Sequence, residues 1–218
     1  IDGLRMILWG LFLKCVLADN LSFSVNRIFA NPELYTGSVL LLGAVYFSFQ
    51  ILGDFAGYSL IARGVGRLFG FSLMCNFISP YFSTNIGEFW RRWHISLSSW
   101  FREYVYIPLG GSQHGKLTSM RNILIVFLLS GLWHGANWTF IIWGLINALA
   151  FLPVFFLFKK GKSKNSSSPI INLFKMGGTF FLVTLSWVIF RSENISAAFE
   201  YFQRMLHSSL FSVPSSDR

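Results

Sequence analysis

Charged residues are scarce in this sequence of 218 residues, and the acidic ones are the scarcer of the two signs. Asp and Glu number 9 against 18 Lys and Arg, so charged residues make up only 12% of the chain. Soluble domains carry roughly a quarter. With 53% hydrophobic residues and a mean hydropathy of +0.53, the composition excludes an ordinary soluble domain and indicates a chain solvated largely by lipid.

The sequence also lacks the motifs by which proteins bind metals or nucleotides. The only cysteines, Cys15 and Cys75, lie far apart among apolar neighbours, which is typical of core filling. No H-x-x-x-H or C-x-x-C pair occurs, and we therefore predict no metal site. The sequence has no G-x-S-x-G element and no Walker or G-x-G-x-x-G loop, so it disfavours a serine hydrolase and a nucleotide-driven pump. No bound cofactor is predicted.

The basic residues gather between the apolar runs and give the chain a net charge of +9. Such a distribution is favoured by the positive-inside rule and by anionic lipid head groups, so we predict membrane lipid, and not nucleic acid, as the partner of these charges. The basic, serine-rich loop at residues 159–169 is predicted to be cytoplasmic, because short basic loops resist translocation.

The apolar runs predict an all-α fold: a polytopic transmembrane helical bundle with broken or re-entrant helices and interfacial amphipathic helices. We expect residues 1–218 to form a single membrane domain that is a fragment of a longer protein. The first run, residues 3–25, contains Arg5, Lys14 and Asp19. These charges predict a protein-lined or partly interfacial helix there rather than a lipid-facing span.

Residues 85–111, "NIGEFWRRWHISLSSWFREYVYIPLGG", combine aromatic and basic residues at helical spacing. An apolar stripe and a polar stripe that includes Arg91 and His94 both recur every three or four positions. This pattern predicts one amphipathic helix at a membrane interface or at the rim of a polar cavity, ended by Pro108 and the glycines after it.

A second long stretch, residues 122–158, has no charged residue at all but contains His134. As one straight helix it would extend roughly 55 Å, which is too long for one crossing of the membrane. Gly131, Gly135 and Pro153 offer places for a break. Since broken backbone at membrane depth is tolerated only inside protein or beside a cavity, we predict two segments that meet at a cavity near His134.

Ionisable residues within apolar stretches mark three candidate functional positions: Asp54, His94 and His134. Asp54 could instead form a structural ion pair with an arginine such as Arg63. His94 could be a rim residue of an interfacial helix, and His134 a neutral core histidine bonded to a backbone carbonyl. Desolvation keeps a buried imidazole neutral and able to accept a proton, so His134 is the candidate general base.

Three stretches together make the sequence resemble a known family: "GDFAGYS", "EFWRRWHISLSSWFREYVYIPLGG" and "LSGLWHGANWTFIIWG". They closely resemble the membrane-bound O-acyltransferase superfamily, and within it the bacterial branch that O-acetylates alginate and related polysaccharides. The resemblance implies that His134 is the catalytic histidine and that His94 is the second polar member of the site. We expect Asp54, Arg91, Trp133 and Asn137 to line a tunnel or to contact substrate.

The resemblance also implies the reaction and its setting. The donor would be an acyl thioester, acetyl-CoA or an acyl carrier protein, at the cytoplasmic face of a bacterial inner membrane. The acceptor would be the hydroxyl of an extracytoplasmic polysaccharide such as alginate, or a periplasmic relay protein. Two rival readings stay open: a proton-coupled transporter or flippase that uses the same His and Asp as a relay, and a non-catalytic scaffold of a polysaccharide secretion complex.

Overall fold

The computed structural model describes residues 1–158 and 168–211, and within these ranges the regular structure is helical throughout. The all-α fold class is therefore confirmed. Residues 159–167 of the predicted basic loop lie outside the described residues, so its cytoplasmic position stays a prediction. The α-helices are α1 (Asp2–Leu11), α2 (Asp19–Ala30), α3 (Gly37–Leu68), α4 (Ile86–Arg92), α5 (Ile95–Phe101), α6 (Gly115–His134), α7 (Trp138–Phe158), α8 (Pro169–Arg191) and α9 (Ile195–Met205).

Five helical runs among the described residues are long and apolar enough to cross a membrane. These are Asp2–Ala30, Gly37–Leu68, Gly115–His134, Trp138–Leu157 and Pro169–Arg191. The run Asp2–Ala30 joins α1 and α2 through a π-helical segment, Phe12–Ala18. Its length and hydropathy are sufficient for a crossing, and our expectation of a protein-lined or partly interfacial helix stays a prediction. Its central charge does not forbid a crossing, because Lys14 is neutralised by ion pairs with Asp19 and Asp54.

The chain forms two compact units, one made of Ile1–Cys75 with the described residues from Arg191 onward, the other made within Asn76–Phe190. In the first unit α1 and α3 cross at glycines. A Cβ on Gly10 would lie 2.6 Å from the carbonyl oxygen of Gly57, and a Cβ on Gly64 would lie 2.5 Å from that of Gly3. Small residues at both crossings let the two backbones touch, as is typical of helix packing in membranes.

In the second unit α6 and α7 form a hairpin whose backbones are equally close. A Cβ on Gly131 would collide with the carbonyl oxygen of Phe140, and a Cβ on Gly144 with that of Phe127. Gly131 therefore serves close packing inside α6 and does not break the helix. Pro153 likewise lies inside α7.

Indole and phenyl rings form the core of the second unit. Trp93 packs on Phe89 at 5.5 Å between ring centroids and on Trp187 at 5.1 Å. Trp187 in turn stacks on Trp143 at 5.6 Å, with the ring planes 19° apart. Trp93, Trp143 and Trp187 are at most 4% exposed. This column of buried rings connects α4, α7 and α8, and it reaches the end of α6.

Candidate functional site

His134 is the last residue of α6, and the chain leaves the helix there because of the glycine that follows. Gly135 has a φ of 152°, a conformation that L side chains rarely adopt, and a Cβ there would lie 2.8 Å from the ring of Phe140. The side-chain oxygen of Asn137 then accepts a hydrogen bond of 3.1 Å from the N–H of Thr139 at the start of α7. The predicted break at His134 is confirmed.

Aromatic rings surround the half-buried imidazole of His134. Its ring centroid lies 5.0 Å from that of Phe190 and 5.5 Å from that of Trp143, both edge-on, and 6.2 Å from that of Phe140. Within the described part of the chain, no protein group forms a hydrogen bond with this imidazole. The alternative of a core histidine bonded to a backbone carbonyl is therefore not what the structure shows, and the ring nitrogens can serve a substrate.

His94 lies at a second break, where we predicted one continuous amphipathic helix. The prediction is wrong: α4 ends at Arg92 and α5 begins at Ile95. Between them His94 adopts a left-handed conformation, with φ 44° and ψ 54°. This conformation is costly for a residue with a side chain and persists only where the surroundings enforce it.

Asn76 and Ile78, which lie upstream in the chain, stabilise the break at His94. The carbonyl oxygen of Asn76 accepts a hydrogen bond from the N–H of Ile95 at 3.1 Å. The side-chain oxygen of Asn76 accepts a second one from the N–H of Ser96 at 3.0 Å. The N–H of Ile78 donates to the carbonyl oxygen of Arg92 at 3.0 Å. These bonds satisfy the backbone groups that the interrupted helix leaves free, so Asn76 holds the start of α5 and thereby positions His94.

The two histidines lie near each other within the same unit. Burial, with a further electrostatic contribution from His134, lowers the pKa of His94 to about 4. His94 is therefore neutral near pH 7, and its Nδ1 lies 3.5 Å from the hydroxyl oxygen of Ser96. The site thus brings together two imidazoles, both next to helix breaks.

Glu88 is a charged residue of this region that sequence reasoning missed. Its carboxylate accepts hydrogen bonds from the N–H and the hydroxyl of Thr84, both at 2.8 Å, and from the guanidinium of Arg92 at 2.6 Å. Although burial favours the neutral acid, these donors and the nearby arginines lower the pKa of Glu88. The spacing of Asn85 and Glu88, a cap residue followed three positions later by Glu, signals a helix start and could have revealed this network.

Three further predicted site residues take different positions around the histidines. Arg91 is exposed on α4, and Trp133 is 64% exposed at the end of α6, next to His134 in sequence. Asn137 caps α7 with its side-chain oxygen. That cap gives Asn137 a structural role at the break, and a direct contact of Arg91, Trp133 or Asn137 with substrate stays a prediction.

Asp54, the fourth predicted tunnel residue, lies on α3 in the other unit. Its carboxylate pairs with the ammonium of Lys14 at 2.7 Å. The alternative partner, Arg63, was wrong: it is nine residues further along the same helix, or about 13 Å away along the axis, and donates to the carbonyl oxygen of Leu73 at 3.4 Å. A structural ion pair at a helix crossing is therefore observed, while a role of Asp54 in a tunnel stays a prediction.

Metal ligation has no support in the arrangement of side chains. Across residues 1–158 and 168–211, no group of three or more His, Cys, Asp or Glu is placed to hold a metal ion.

Comparison with known proteins identifies the relatives of the chain. The model of the membrane-bound O-acyltransferase family matches residues 2–189. The probable alginate O-acetylase AlgI of Pseudomonas fluorescens is 41% identical over 217 residues, covering 100% of this chain and 43% of that protein. The peptidoglycan O-acetyltransferase of Helicobacter pylori is 40% identical over 205 residues, covering 94% and 38%. The teichoic acid D-alanyltransferase of Bacillus subtilis is 32% identical over 158 residues, covering 67% and 39%. The chain therefore spans less than half the length of each of these relatives.

Proposed function

Because this chain belongs to the membrane-bound O-acyltransferase family, a family of multi-pass membrane proteins, we propose that it carries the catalytic histidines of an O-acyltransferase. The observation that carries the proposal is the proximity of His94 and His134 within one unit, each beside a helix break and the latter with free ring nitrogens. The enzyme would move an acyl group from a thioester to a polysaccharide hydroxyl.

His134 acts as the general base in the proposed reaction. Its imidazole takes the proton of the acceptor hydroxyl as the oxygen attacks the thioester carbonyl carbon. The carbonyl electron pair moves onto its oxygen, then returns as the C–S bond breaks and the thiolate leaves with the proton from the imidazolium. His94, neutral because its pKa is about 4, orients the acceptor or donates a hydrogen bond.

The α6–α7 hairpin favours an acceptor on the extracytoplasmic side. Lys116 and Arg121 lie in the first part of α6, and His134 lies at the turn at the other end of the hairpin. The positive-inside rule places the basic end in the cytoplasm, so the turn points towards the opposite face. The depth of His134 in the bilayer stays a prediction, as does a tunnel that brings the donor to it.

The substrates that we propose are inferred from the names of the relatives. Proteins named as acetyl-transferring enzymes are 40–43% identical to this chain, against 32% for the D-alanyltransferases. We therefore favour acetyl as the acyl group, acetyl-CoA or an acyl carrier protein as the donor, and alginate or a similar polymer, reached directly or through a periplasmic relay protein, as the acceptor. The bacterial inner membrane is the proposed location.

Acyl transfer by the purified full-length protein in lipid nanodiscs tests the proposal. His134→Gln keeps a polar side chain but cannot take the proton, so turnover should fall at least about a hundredfold. His94→Gln should cost less. His114→Gln, at an exposed histidine before α6, is the matched control and should leave turnover unchanged.

The outcomes separate the rival functions. Near-normal turnover of His134→Gln would show that His134 is not the base. A protein that moves polysaccharide across the membrane but consumes no thioester would be a transporter or flippase. A scaffold would support polysaccharide modification equally well with both histidines replaced.

A further inference from the structure

Two buried indole N–H groups in the aromatic core that reaches His134 have no hydrogen-bond partner. They belong to Trp143 and Trp187, each 2% exposed, and no acceptor among the described residues reaches either Nε1. Buried donors are almost always paired in native proteins, so an unpaired one suggests a partner that the chain itself does not supply. The two indole rings stack with 5.6 Å between their centroids, so two unpaired N–H donors lie in the same part of the core.

Trp143 is the better placed of the two. Its ring stands edge-on to the imidazole of His134, with 5.5 Å between centroids and 90° between planes. A nucleophile held by an imidazole lies about 3 Å from it, and a donor to the developing oxyanion lies about 3 Å from that oxygen. Base and donor therefore need to be close neighbours, and direct ring contact provides that proximity.

We propose that the indole N–H of Trp143 donates a hydrogen bond to the carbonyl oxygen of the acyl group. The bond strengthens as attack moves the carbonyl electron pair onto this oxygen, and it weakens when the C–S bond breaks and the carbonyl re-forms. Trp143 is thus a further catalytic residue beside the two histidines, and Trp187 positions it by stacking. The inference rests on the proposed function, since it assigns a role within the same acyl transfer.

Aromatic surroundings make this bond effective. The rings packed on Trp143 are Trp90, Trp187, Phe190 and His134. A preorganised donor in such an apolar, water-poor site stabilises a developing charge far more than the same donor would in water.

Replacing Trp143 by benzothienylalanine tests the inference, because sulfur takes the place of the N–H while the bicyclic shape is kept. In the full-length protein kcat should fall about a hundredfold, with KM nearly unchanged. Trp90 is the matched control: its Nε1 is also buried and unpaired and its ring contacts Trp143, but it is not among the rings that pack on His134. The same replacement there should leave kcat within a few-fold.

A second measurement does not depend on turnover. Adding a ketone analogue of the acyl thioester, which binds but cannot transfer, should shift the indole N–H resonance of Trp143 and leave that of Trp90 in place. Normal kcat for the Trp143 isostere, or equal losses for both isosteres, would overturn the inference while His134→Gln still upheld the proposed function. A wild-type protein that transfers no acyl group would overturn both.

Discussion

Substituting Gly131 by alanine should disable the site without touching either histidine. Gly131 lies one helical turn before His134, at the point where α6 touches α7. An added Cβ would collide with the carbonyl oxygen of Phe140, whereas ordinary contact needs 3.4–4 Å. Since both groups belong to rigid helices, the two backbones must separate by about 1 Å at the turn, which is a typical response to an overpacked interior.

The expected magnitude follows from how steeply catalysis depends on geometry. A misplacement of about 1 Å can cost about a hundredfold in rate, which corresponds to about 2.7 kcal/mol in the activation barrier. The overpacking itself should lower stability by about 1–3 kcal/mol. Gly131→Ala should therefore remain folded in nanodiscs, with a lower melting temperature, and lose most of its kcat in the acyl-transfer assay.

Gly64→Ala separates loss of geometry from loss of stability. The Cβ of the new alanine would lie 2.5 Å from the carbonyl oxygen of Gly3. This clash is comparable to that at Gly131, but it occurs at the α1–α3 crossing in the other unit. It should lower the melting temperature by a similar amount and keep most of the activity. Normal turnover of Gly131→Ala, or an equal loss in Gly64→Ala, would refute the claim that this helix contact fixes the position of His134.

Two further predictions concern charge. Histidine NMR of the full-length protein should show His94 titrating near pH 4, because burial and His134 lower its pKa. The unfolded chain takes up this proton near pH 6.5, so the free energy of unfolding should fall as the pH drops from 6.5 to 4. A titration midpoint at or above pH 6.5 would contradict the burial of His94. Lys14→Met should lower the melting temperature, because it leaves the carboxylates of Asp19 and Asp54 without their shared cation. Lys14→Met combined with Asp54→Leu should be more stable than Lys14→Met alone, and a further loss would argue against the ion pair.

The break at His134 could be predicted because its cause is local. A charge-free run too long for one crossing must turn somewhere, and Gly135 next to a histidine is a residue that permits the turn. Pro153 and Gly131 looked equally suitable on sequence grounds. A proline can be accommodated within a membrane helix, and a glycine inside one can serve backbone contact with a neighbour, which only the packing of α6 on α7 reveals.

The break at His94 could not be predicted, because its cause lies elsewhere in the chain. Residues 88–104 keep helical spacing and contain neither glycine nor proline, so every local rule favours one helix. The bonds from Asn76 and Ile78, 16 to 18 residues upstream, replace those that the helix gives up. The partner of Asp54 was missed for the same reason, since Lys14 reaches it across a helix crossing.

The two helix breaks differ in what causes them, and this difference suggests different roles for the two histidines. A break made by Gly135 is permitted by the local backbone, whereas the left-handed conformation of His94 has to be held by Asn76. A residue kept in a costly conformation by its surroundings marks a position where geometry matters for function. The neutral imidazole of His94 therefore stays fixed relative to His134, as a residue that orients the acceptor requires. In the proposed reaction the two histidines would therefore divide the work: His134 would accept the proton, and His94 would set the geometry in which it is accepted.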